Sequence, residues 1–182
     1  YEEHQKGNLD AILSNTSGCG TTMKDYGFIF REDKELSKKA KVISELTKDI
    51  SEYIFESLKL DIKDKGKKYK VAYHSACSMQ HGQKVHSQPV SLLEKTNNEI
   101  MEIPEGHICC GSAGTYNILQ SKIAKQLLKK KVNNIESLNQ DFISTGNIGC
   151  ITQIAHGTKV PILHTIEVLD WYTGGPKPEI LK

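Results

Sequence analysis

YKVAYHSAC, residues 69–77, alternates apolar and polar side chains as a strand does and stops on a cysteine. The same juxtaposition recurs on either side of it. NEIMEIP (98–104) reads as a short strand leading into Cys109-Cys110-Gly111. DFISTG (141–146) reads as another, ending in NIGC with Cys150, and LDAILSN (9–15) as an earlier one ending in SGCG with Cys19. VPILHT (160–165) is the last strand of the series. The stretches between them have helical character. A short helix is expected through TTMKDYGF, and 35–60 places Leu36, Ala40, Ile43, Leu46, Ile50, Ile54 and Leu58 at spacings of three and four, the pattern of one long amphipathic helix. In SQPVSLLEKT (87–96), Ser87 and Pro89 stand where a helix start favours them. From Ser112, a residue suited to cap, Tyr116, Leu119, Ile123 and Leu127 fall on one face; IEVLDWY forms the last helix and GGPKPEILK a mobile tail. Strands alternating with helices predict an α/β fold, a mainly parallel sheet with flanking helices and the cysteines at the carboxyl ends of the strands.

The composition fits that class. The chain of 182 residues suggests one domain of ordinary size with part of a neighbour attached, long enough to bury a core without disulfides. No apolar run approaches the roughly 18 residues of a membrane span, although peripheral docking is compatible with the sequence. YEEHQKGNLD at the start has no apolar signal region and no Met, which suggests a fragment of a longer cytoplasmic protein. The net charge is only +2, and the basic clusters KDKGKK (63–68) and LKKKV (128–132) lack interleaved aromatics. They read as solvated surface, not as a nucleic-acid groove.

Five cysteines without a secretion signal argue for a metal or redox role over a disulfide framework. Adjacent cysteines lie about 3.8 Å apart at Cα, too close for an ordinary bridge to each other. Cys77, Cys109, Cys110 and Cys150 supply four thiols, enough for one iron–sulfur cluster or a tetrahedral zinc. Gaps of 31 residues between Cys77 and Cys109 and 39 between Cys110 and Cys150 each accommodate a helix and a strand, so the ligands arrive from successive turns. A helix starting after CCG would favour thiolate through its dipole. The alternatives are small buried hydrophobes, or a Cys–His nucleophile pair of His74 with Cys77 or Cys109. His74, His81 and His164, with His107, are candidates for hydrogen-bonding a sulfur or ligating the metal. No glycine-rich nucleotide motif is present, so neither nucleotide nor flavin is expected on this chain.

HSAC, CCGSAG and GNIGC together resemble the cysteine-rich CCG domain found in heterodisulfide reductases and in iron–sulfur subunits of hydroxy-acid oxidising enzymes. VAYHSACSMQHGQKV, CCGSAGTYNILQ, TGNIGC and PILHTIEVLDW are most similar to the C-terminal part of the glycolate oxidase iron–sulfur subunits. The resemblance implies an electron-transfer module that carries a 4Fe-4S cluster, works with flavin-binding subunits of glycolate oxidase and has no substrate site of its own. A cluster of this kind can be lost from an isolated piece. Zinc-binding or metal-free docking in the same complex, and heterodisulfide-type thiol chemistry, are the rival implications. One departure matters: the family's final CxxC is Asn147-Ile148-Gly149-Cys150 here, which leaves four thiols where the family has five. The resemblance further implies that residues 1–30 are the end of a preceding repeat and 31–182 the second CCG domain. Cys19 would then be separated from its partner ligands.

Overall fold

The computed structural model describes all residues, Tyr1–Lys182. In chain order the elements are α1 (Glu2–Gln5), β1 (Ile12–Ser14), α2 (Ser17–Lys24), α3 (Tyr26–Ile29), α4 (Ser37–Leu46), β2 (Thr47–Asp49), α5 (Ile50–Ser57) and β3 (Lys70–Tyr73). A π-helical turn (Ser78–Gln83) follows, then α6 (Gln88–Glu94), β4 (Glu99–Glu102), α7 (Tyr116–Leu119), α8 (Ser121–Glu136), β5 (Phe142–Thr145), α9 (Ile148–Ala155), β6 (Ile162–His164) and α10 (Thr165–Thr173).

Four of the strands form a sheet in the order β4-β3-β5-β6, and every pairing is parallel. Both faces are covered, so the strands are apolar on both sides. On one face Ala72 and Ile143 pack with Val132 and Ile135 of α8 and Ile154 of α9. On the other, Val71, Tyr73 and Phe142 pack with Leu93 of α6 and Val168, Trp171 and Tyr172 of α10. The chain leaves β3 toward β4 with α6 on one face, then crosses back to β5 with α8 on the other. The winding therefore reverses between β3 and β5. Ligands of open α/β sheets bind in the crevice outside the strand carboxyl ends at such a reversal.

A second, two-stranded parallel sheet joins β1 to β2. It repeats the local design of β5-α9-β6-α10. In both, a first strand runs through an extended residue (Thr16, Asn147) into a helix whose third residue is a cysteine, Cys19 or Cys150. In both, the second strand ends in a capping box, Asp49 with Glu52 and His164 with Glu167. The two strands of this small sheet, residues 12–14 and 47–49, pair across residue 30.

The stretch 35–60 is two helices, not one. Thr47–Asp49 is drawn into pairing with β1, and the Asp49 carboxylate accepts the Ser51 N–H at 2.9 Å to restart the chain as α5. The apolar spacing passes from Leu46 to Ile50 without a break, so periodicity could not reveal the interruption. The helix expected from Ser112 begins only at Tyr116 and breaks at Gln120. Its expected core face is open to solvent, with Leu119 74% exposed; Ala124, Lys131, Val132 and Ile135 are buried instead. The C-terminal tail is docked, since Leu181 packs against the cluster that contains Trp171 and Tyr172.

Candidate metal centre

A cavity of about 390 Å³ opens at the carboxyl ends of β3, β4 and β5, where the winding reverses. Cys77, Cys109, Cys110 and Cys150 all line it, and so does Cys19. Each is delivered by a different local device. Cys77 follows β3 and enters the π-helical turn, an irregularity frequent at functional sites. Cys109 and Cys110 sit on a turn made by Gly111 (φ +93°), Ala113 (φ +41°) and Gly114 (φ +63°). That turn stands in for the expected helix start, so the pair does not cap a helix of its own. Cys150 does lie in the first turn of a helix, α9.

The sulfurs are mutually engaged and none is bridged. Cys110 Sγ lies 3.4 Å from Cys150 Sγ, and the Gly111 N–H donates to Cys109 Sγ at 3.3 Å. Hydrogen bonds from Cys110 and then Cys77 hold the Cys109 thiol well below its usual range. Cys150 is lowered by the Cys110 hydrogen bond and, less, by His74. Cys77 is pushed up by its bond to Cys109 and by burial, and Cys110 by its bonds to Cys109 and Cys150. Four sulfurs crowd one half-buried cavity, where holding more than one of them as thiolate is costly. A cation among the sulfurs removes that cost. This donor set, four free cysteine sulfurs that a metal can deprotonate, fits an iron–sulfur cluster or zinc.

Asn147 is fully used by the fold. Its Oδ1 accepts the Cys150 N–H at 3.2 Å, capping α9, and its Nδ2 donates to Ser17 Oγ at 2.7 Å and Ser78 Oγ at 3.3 Å. Ser17 and Ser78 are themselves 2.7 Å apart, so this knot ties α2, the π-helical turn and α9 together beside the cavity. His164 is likewise occupied: its Nδ1 caps α10 and its Nε2 meets the Asn15 carbonyl at 2.7 Å. His81 lies exposed on the π-helical turn and outside the cavity lining. His107 lines a different cavity, of about 560 Å³, which His74 lines too, outside the lining of the thiol cavity. Only His74 joins the sulfurs, grouped with Cys110 and Cys150 so that their ligand atoms lie within 4.8 Å of one another.

Lys131 was not among the candidates from sequence. Placed by its LKKKV cluster on the solvated surface, it is instead fully buried, with its Nζ 3.3 Å and 3.4 Å from the carbonyls of Glu105 and Gly106. Burial lowers its pKa, opposed by attraction to Cys110, Cys109 and Cys150. The signal was present in the spacing, because Ala124, Lys131 and Ile135 share the buried face of α8. A buried cation beside thiolates offsets the charge of a metal–thiolate centre. Lys131→Met is therefore expected to change the stability of the metal-free chain by no more than about 1 kcal/mol, since the relief of a buried charge is offset by the lost attraction to the sulfurs and the Glu105 and Gly106 carbonyls. Metal retention should fall several-fold in the same variant. Thermal melts and metal analysis of the two proteins check both halves.

Residues 71–155 match the cysteine-rich domain family CCG. The chain is 36% identical over 161 residues to the glycolate oxidase iron-sulfur subunit of Escherichia coli (strain K12), covering 88% of this chain and 39% of that protein. It is 28% identical over 171 residues to lactate utilization protein A of Geobacillus sp. (strain WCH70), covering 90% of this chain and 71% of the relative. The protein of the same name from Bacillus subtilis (strain 168) is 26% identical over 165 residues. The chain thus spans well under half the length of the first of these relatives.

Proposed function

We propose, on the match of residues 71–155 to the cysteine-rich domain family CCG, that the chain is an iron–sulfur electron-transfer module of a 2-hydroxy-acid-oxidising complex. The observation that carries this reading is the convergence of four thiols, from three strand ends, on one cavity at the point where the sheet's winding reverses. Cys77, Cys109, Cys110 and Cys150 would hold a 4Fe-4S cluster. Such a cluster accepts and releases one electron at a time, at a potential set by its charge, its hydrogen bonds and its burial.

The chain's own residues serve those three controls. The Gly111 N–H donates to a ligand sulfur, the Lys131 ammonium lies buried where it feels the thiolates, and Ile148 and Ala113 contribute apolar wall. Flavin-binding subunits that oxidise the 2-hydroxy acid are the proposed electron donors, with glycolate and lactate as the substrates the relatives' names favour. No helix is long and apolar enough to cross a membrane.

We further propose that residues 1–57 close a preceding repeat, because β1-α2 and β2-α5 reproduce β5-α9 and β6-α10. Cys19 then corresponds to Cys150, and it lines the same cavity as the four thiols. The experiment for the electron-transfer reading is spectroscopic. Anaerobically purified protein is expected to be brown, to bleach with dithionite and to regain its colour on reoxidation. A colourless protein holding zinc, with stability that falls on chelation, would instead make the domain structural.

A further inference from the structure

We propose that His74 is the fifth donor of the centre, its imidazole nitrogen doing the work of the thiolate that Asn147 replaces. The inference rests on the reading of the four thiols as a metal centre and goes beyond it in assigning a nitrogen ligand.

Two observations converge. The first is what Asn147 cannot do: its amide oxygen caps α9 and its amide nitrogen is committed to Ser17 and Ser78, so the family's fifth position is structural in this chain. The second is the state of His74. It is 2% exposed, and no nitrogen or oxygen partners Nδ1 or Nε2; what the ring faces is the Cys150 sulfur, too far for a regular hydrogen bond. Buried imidazoles in folded proteins nearly always find at least one partner. A residue placed there for packing alone would gain from being apolar, as its neighbours Ala72 and Ala76 are.

The ring is also held in position. Its backbone N–H donates to the Ser144 carbonyl at 2.8 Å, extending the β3–β5 pairing one residue beyond Tyr73. That places a ring nitrogen within 4.8 Å of both the Cys110 and Cys150 sulfurs. Atoms at that mutual distance can share one metal ion or adjacent metals of one cluster. A neutral nitrogen in place of a thiolate makes the centre one charge less negative. Histidine ligation of an iron–sulfur centre raises its reduction potential for this reason.

The test compares the wild-type chain with His74→Cys and His74→Gln, each loaded anaerobically with iron and sulfide and checked for fold by circular dichroism. Pulsed electron paramagnetic resonance of the reduced wild type should show the strong nitrogen coupling of a directly bonded imidazole, above the weak coupling that a backbone N–H such as Gly111 gives in every variant. His74→Cys should keep its iron, lose that coupling and titrate at a lower potential. His74→Gln should lose the coupling and retain several-fold less iron. Iron-loaded wild type without the strong coupling, or His74→Gln that keeps it, would overturn the nitrogen ligand while leaving the thiol centre standing. A wild-type chain that takes up no iron would overturn both.

Discussion

Cys110→Ser is expected to abolish metal retention while leaving the fold in place. Cys110 is the hub of the four sulfurs, hydrogen-bonded to Cys109 on one side and 3.4 Å from Cys150 on the other. Serine keeps the shape, but its hydroxyl is a hard, reluctantly ionised donor where iron and zinc sites of this type take thiolates. Even partners outside the ligand set of metal sites cost 10–100-fold in affinity when removed. Loss of this ligand should therefore exceed about 100-fold. The cost to the metal-free fold should stay near 1 kcal/mol, the usual size for a single exchange of this kind. Iron and sulfide per chain, measured beside a thermal melt, separate the two effects. Metal content unchanged in Cys110→Ser would remove Cys110 from the centre.

Gly111→Ala should do the reverse, damaging the fold before the chemistry can be read. Gly111 holds φ at +93°, and a Cβ there would stand 2.5 Å from the carbonyl oxygen of Ala124 in α8 and 3.2 Å from its carbon. A backbone carbonyl inside a helix cannot swing aside as a flexible side chain can. Strain and clash together should cost more than about 3 kcal/mol, among the larger single-residue effects. For a chain of this size that lowers Tm by roughly 6–12 °C. Gly114→Ala is the internal control: its φ is +63° but nothing lies within 4 Å, so only the backbone strain of about 1 kcal/mol is expected. Equal effects at the two positions would mean that the close approach of the CCG turn to α8 has been misjudged.

Much of the fold and the thiol set was legible because both depend on short, local signals. Each strand preceding a cysteine was marked by apolar alternation or a short apolar run, and the parallel sheet follows from strands separated by helix-length segments. The same reasoning put Cys77, Cys109, Cys110 and Cys150 at strand ends, and the structure brings these side chains to one cavity. What stayed hidden was set by contacts distant in sequence. Thr47–Asp49 became a strand because β1 was available to pair with it, although Asp49 and Glu52 did carry a readable capping box. Lys131 looked like part of a solvated cluster until the loop at Glu105 and Gly106 closed over it. His164 sat on the expected edge, yet its ring is spent on Asn15 and on capping α10, whereas His74, equally plausible from spacing, was left without a nitrogen or oxygen partner beside the sulfurs. Which histidine is free is decided by side-chain partners, and these come from packing.

The most direct test of the central claim, that four strand-end thiols hold one redox-active centre, is iron, acid-labile sulfide and zinc analysis of the anaerobically purified chain and of its Cys150→Ser variant. The account predicts iron and sulfide in near-equal amounts on the wild type and neither on Cys150→Ser, with zinc absent from both. Wild-type protein free of iron and sulfide under those conditions, or a Cys150→Ser variant that keeps its full complement, would contradict it.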